Sequence, residues 1–182
     1  MVLLTLALVA MAADSQNRYA IKSAQHLANS ALRAEVERLE GFVGDYAFWN
    51  DSALNLVSEP APTWTTENIG PDVIEGLRMT ASLVIDGQGR ATYAAVDGAE
   101  FGPEVTGRLS SELDNLVRAA RDGVGGAGVR PERASTVLLL DGNLAIAAAS
   151  AITWDEGRSP PLAAGAPATL VFVRRMDETR NC

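Results

Sequence analysis

The chain has 182 residues, 47% of them hydrophobic, enough for one domain with a sizeable core and too much for wholesale disorder. Fifteen Lys and Arg against 23 Asp and Glu give a formal net charge of −8, which repels phosphate backbones and anionic headgroups, so no nucleic-acid partner is expected. One cysteine, Cys182, and one histidine, His26, can make neither an internal disulfide nor a Cys/His zinc site, and no cofactor motif is present.

Residues 1–13 are apolar except for Thr5, against the roughly 20 residues a helix needs to cross a bilayer. No basic segment precedes the run, as one would in a secretory signal. Three readings stand: the trailing remnant of a transmembrane helix, which is preferred, an atypical signal segment, or a buried core helix. The first two place Asp14 onward outside the cytoplasm. With no disulfide there, the expected location is the periplasmic side of a bacterial inner membrane, with the full-length protein membrane-anchored through flanking helices.

From Asp14 to about Val57 there is no proline, and Leu32, Val36, Leu39, Val43 and Tyr46 recur at steps of four and three, the mark of one helical face. A long helix reaching about Trp49 is predicted. Residues 14–31 are read as a membrane-proximal stalk, residues 32–176 as the folded domain and residues 177–182 as a polar tail. On the stalk Ile21, Ala24, Ala28 and Ala31 allow close helix approach, so a weak parallel homodimer is expected there.

Ser58 to Gly70, rich in Pro and Thr, reads as a crossing loop, and Pro71 then starts a short helix through Leu77. Ala81 to Ile85 and Ala91 to Val96 flank Asp86-Gly-Gln-Gly-Arg90, a hairpin signal. Gly102-Pro103 opens a second amphipathic helix, with Leu109, Leu113, Leu116 and Val117 on one face, that ends at Asp122-Gly123. Thr136 to Leu140, Asn143 to Ala149 across Asp141-Gly142, and Thr169 to Arg175 supply three more strands. The turns are short enough for antiparallel pairing, so the fold class is α+β: a five-stranded antiparallel sheet covered on one face by helices.

Asp45-Tyr-Ala-Phe-Trp-Asn-Asp51 holds three of the chain's ten aromatics and two acids in seven residues. On a continuous helix Tyr46, Trp49 and Asn50 share a face and could line one cleft; the bland alternative is that the aromatics close the core while the acids satisfy nearby backbone donors.

This block, with Thr66-Glu-Asn-Ile69, Leu83-Val-Ile-Asp-Gly-Gln-Gly-Arg90, Asp141-Gly-Asn-Leu144 and Leu170-Val-Phe-Val-Arg-Arg175, is similar to the CHASE4 family of extracytoplasmic sensor domains, departing from its usual motif at Asn50, where the family carries an acid. The resemblance implies a PAS-like, single-Cache sheet with a long N-terminal helix and covering helices. It further implies a small-molecule ligand and a transmembrane signalling protein of diguanylate cyclase, phosphodiesterase or histidine kinase type. The pocket would lie between the sheet and the elements over it, nominating Tyr46, Trp49, Asp51, Trp64, Asn68, Arg78, Tyr93 and Trp154 as ligand-binding residues. Trp49 would wall a cavity closed by Tyr93 and the loop bearing Asn68, and Arg78 hints at a carboxylate on the ligand.

Catalysis is not expected. His26 lies roughly 35 Å of helix from Trp49, too far for a Ser-His-Asp arrangement, and no spacing singles out a carboxylate pair. The alternative to a sensor is a structural or protein-docking ectodomain with no small ligand.

Overall fold

A computed structural model describes residues 2–101, 111–126, 128–140, 142–155, 162–163 and 166–176. The chain divides into two units, Met1–Glu37 and Arg38–Cys182. The first is helical, the leading part of α1 (Val2–Ala47), and its residues 19–31 are exposed, among them Tyr19, Ile21 and Leu27. Among the described residues no helix is long and apolar enough to cross a membrane.

The second unit is built on one antiparallel sheet. Its strands are β1 (Ala81–Ile85), β2 (Ala91–Val96), β3 (Ala99–Phe101), β4 (Ala134–Leu140), β5 (Asn143–Ala151) and β8 (Thr169–Arg175), in the order β3-β2-β1-β8-β5-β4. Among the described residues, short strands β6 (Leu162–Ala163) and β7 (Ala166–Pro167) pair with each other. The predicted hairpins are present, β1 with β2 and β4 with β5. Among the described residues the main sheet has six strands rather than five. The added strand, β3, follows Asp97 and Gly98, whose φ values of 47° and 81° are those of a two-residue hairpin turn.

Helices cover both faces of the sheet, where one covered face was expected. Toward one side, Ala81, Leu83, Ala145, Ala147, Val171 and Val173 pack with Leu113, Leu116, Val117 and Ala120 of α5 (Ser111–Asp122). Burying each such Leu or Val contributes about 1.5–3 kcal/mol. Glu112 and Asp114 in the first turn of α5 and Arg121 in its last suit the helix dipole. The alternate residues serve the other side: Phe172 meets Tyr46 near the end of α1, and Ser82 Oγ donates to the carbonyl of Ile69. The predicted start of α5, from Gly102 to Leu109, lies outside the described residues, as does Asp141.

The long helix ends earlier than its pattern predicts. Thr153 N–H donates to the Ala47 carbonyl at 3.0 Å and Phe48 forms a parallel bridge with Thr153, so the chain leaving β5 captures the backbone at this point. Trp49 is extended (φ −141°, ψ 131°), and the helix restarts as α2 (Asn50–Ala53), where Asn50 Oδ1 accepts the Asp155 N–H at 3.2 Å. A π-helical turn, Leu54–Ser58, follows.

The predicted loop 58–70 is largely helical. It contains α3 (Pro62–Ile69), which is followed directly by α4 (Pro71–Gly76), each with proline in its first turn. Pro suits that position because its fixed φ is helical and its missing N–H is not needed there. Thr65 Oγ1 donates to the Ala61 carbonyl (3.0 Å) and Asn68 Nδ2 to the Trp64 carbonyl (2.9 Å), so residues that by composition signal a loop bond back onto their own helix.

Candidate functional site

A cleft of about 370 Å³ opens between the π-turn, α3 and strand β2. Asn55, Leu56 and Val57 come from the π-turn, a geometry concentrated at functional sites, Pro60 and Ala61 from the link into α3, and Pro62, Thr65 and Thr66 from α3 itself. Val84, Asp86, Thr92, Tyr93, Glu100 and Ala168 form the sheet side.

Successive strand residues normally face opposite ways, yet Thr92 and Tyr93 both line this cleft. The register explains it. Val84 pairs with Tyr93 and Ile85 with Ala91, leaving Thr92 as an extra residue in a bulge, where its hydroxyl donates to the Val84 carbonyl at 3.3 Å. A bulge re-aims side chains in this way beside binding sites.

Two carboxylates line the cleft and differ in their bonding. Asp86 is buried at the β1–β2 turn: Oδ1 accepts the N–H groups of Gln88 and Arg90, both at 2.9 Å, and Oδ2 accepts Arg90 Nε (3.0 Å) and Nη2 (2.8 Å). Burial pushes its carboxyl up, but the hydrogen bonds from Arg90 and Gln88 outweigh this and hold it below the usual carboxylate value. Its carbonyl accepts Arg121 Nη2, and Arg121 Nε reaches Thr169 Oγ1 at 3.2 Å, so α5 braces the turn from behind.

Glu100, on β3, is exposed and accepts the Tyr93 hydroxyl at 2.8 Å. Burial and the neighbouring Glu100 carboxylate push the Tyr93 phenol well above its ordinary value, so it stays protonated and donating. Among the described residues no group of three or more His, Cys, Asp or Glu is placed to hold a metal ion.

Of the residues nominated from sequence, Tyr93 lines the cleft. Tyr46, Trp49 and Trp64 form an aromatic row beside it, with ring centroids 6.4 Å apart for Tyr46–Trp49 and 5.5 Å for Trp49–Trp64. Trp49 therefore packs on Trp64 instead of walling the cleft. Asp51 is exposed in the first turn of α2, and its carbonyl accepts Asn55 Nδ2 at 2.8 Å. Asn68 is occupied with the Trp64 carbonyl. Arg78 is exposed at φ 55°, with its carbonyl accepting Arg174 Nε at 2.9 Å, and Trp154 is half-buried beyond β5. Neither lines the cleft. Asp45, in the same aromatic block, pairs with Arg130 at 2.7 Å, and the Arg130 guanidinium lies 5.3 Å from the centre of the Phe48 ring.

Sequence reasoning missed the π-turn residues and the N-terminal turn of α3. The signal within reach was Pro60-Ala-Pro62 followed by Thr63, Thr65 and Thr66, which sits in chain order just before the hairpin that forms the opposite wall.

Among protein families, the model of the CHASE4 domain matches residues 31–180. A comparison with curated proteins returns no match.

Proposed function

The chain belongs to the CHASE4 domain family, whose members are extracytoplasmic sensor domains, and from that premise we propose that it is the ligand-sensing part of a bacterial transmembrane signalling protein, with the cleft between α3 and β2 as its ligand site. The observation that carries this reading is the cleft itself: a concave space of small-molecule size, mostly apolar, with a few oriented polar groups from three different elements.

Sensing needs a ligand to favour one arrangement of the surrounding elements over another. Thr65 and Thr66 of α3 touch the cleft, while Trp64 on the same helix packs on Trp49 and, through it, Tyr46 in the last turn of α1. A ligand that repositions α3 thus acts on the segment that continues toward the N-terminus. The same reading puts the domain on the periplasmic side of the inner membrane, without catalytic activity of its own, and has it self-associate through the membrane-proximal helix, on which Ile21 and Leu27 are exposed. A cyclase, phosphodiesterase or kinase module would receive the signal.

The test is a thermal-shift screen of the full chain against a metabolite collection, run in parallel on Thr66→Trp, which fills the cleft from an exposed position. At least one compound should raise the parent's Tm and leave the variant's unchanged. If no compound shifts the parent, or shifts both proteins equally, the cleft is not a ligand site and a structural ectodomain is the better account.

A further inference from the structure

The polar lining of the cleft is biased toward acceptors, and we infer that its ligand is a small primary amine, protonated in water and carried on a short apolar body. This rests on the reading of the cleft as the ligand site. Most side-chain donors on the lining are spent: Thr65 Oγ1 donates to the Ala61 carbonyl, Thr92 Oγ1 to the Val84 carbonyl, Asn55 Nδ2 to the Asp51 carbonyl and the Tyr93 hydroxyl to Glu100, with the Thr66 hydroxyl outside this set. What these groups keep is chiefly lone pairs, on the hydroxyl oxygens and on Asn55 Oδ1, beside the second N–H of Asn55.

Charge points the same way. Among the described residues the lining contains no Lys, Arg or His. The Asp86 carboxylate is matched by Arg90. Among the described residues Glu100 has no cationic partner: one carboxylate oxygen accepts from Tyr93, and no described group bonds the other at the sheet side of the cleft. An ammonium group has three donors and no acceptor, the complement of this set. The apolar body would lie on Leu56, Val57, Pro60, Pro62 and Val84. A carboxylate ligand would meet Glu100 with like charge and find few free donors.

Isothermal titration of the full chain with n-butylamine, 1,4-diaminobutane and phenethylamine, beside butyrate and 1-butanol as charge-reversed and neutral controls, tests the class. The amines should bind and butyrate should not. Glu100→Gln should weaken amine binding about tenfold or more, as expected for a lost charge-assisted hydrogen bond, while Asp72→Asn, an exposed acid off the cleft, leaves it unchanged. Circular dichroism confirms that each variant is folded. If butyrate or 1-butanol binds in preference, and Thr66→Trp removes that binding, the amine class is wrong and the cleft remains a ligand site. If amines bind equally to Glu100→Gln, or none binds the parent, the inference falls; if Thr66→Trp also leaves every binding event intact, the cleft falls with it.

Discussion

The indole of Trp64 packs on that of Trp49 with 5.5 Å between ring centroids and 49° between planes. Trp64 is carried by the helix whose first turn lines the cleft, and Trp49 meets Tyr46 edge-on where α1 ends, with Tyr46 in turn edge-on to Phe172 of the central strand β8. The row of rings ties the cleft helix to both the sheet and the end of α1. A double-mutant cycle with Trp49→Leu and Trp64→Leu should return a coupling of about 0.5–1.5 kcal/mol in chemical denaturation, the range for a packed aromatic pair. Additive losses would mean that the two indoles are held independently.

Gly70 joins α3 to α4, and a Cβ built there collides with the Thr66 carbonyl, a backbone atom that cannot swing aside. Relief requires α3 to shift. Gly70→Ala should therefore cost about 2 kcal/mol of stability by urea denaturation and weaken whatever binds against Thr65 and Thr66. An unchanged midpoint would show that the α3–α4 corner is loose enough to absorb a methyl group.

Asp86 sets a pH dependence whose sign follows from its lowered carboxyl. A group depressed in the folded state adds stability that is fully present above its unfolded value, about 3.9, and is lost as pH falls through its lower folded value. The parent should lose stability on acidification from about pH 4 downward. Asp86→Asn should be less stable than the parent at pH 7 and show a flatter profile below pH 4, read by thermal melts at constant ionic strength. Parallel profiles for the two proteins would assign the acid sensitivity to other carboxylates.

Both main hairpins and the apolar face of α5 were legible because each rests on a local pattern: glycine-rich turns between β-type runs, and Leu113, Leu116 and Val117 at helical spacing. Asp97-Gly98 carried an equally clear turn signal for β3, but the strand after it is only three residues long. The break at Phe48 and Trp49 was not legible. No proline or glycine marks it, because its cause is the distant Thr153 bonding to Ala47. The cleft was hidden for two related reasons: α3 looks like a loop until its Thr and Asn side chains are seen bonding to their own helix, and Thr92 reaches the same space as Tyr93 only through a bulge that strand alternation does not foretell. The aromatic block drew attention to Trp49, which packs on Trp64 of the cleft helix.

The most direct measurement of where a ligand binds is a titration of the isotope-labelled full chain with phenethylamine, followed by backbone and side-chain chemical shifts in NMR. Saturable changes should concentrate on Asn55, Leu56, Val57, Thr65, Thr66, Thr92, Tyr93 and Glu100, with smaller ones at the Trp64 and Trp49 indoles. Changes centred on Arg78 or Trp154, with residues 55–57 and 92–93 silent, would contradict the assignment of the cleft as the ligand site.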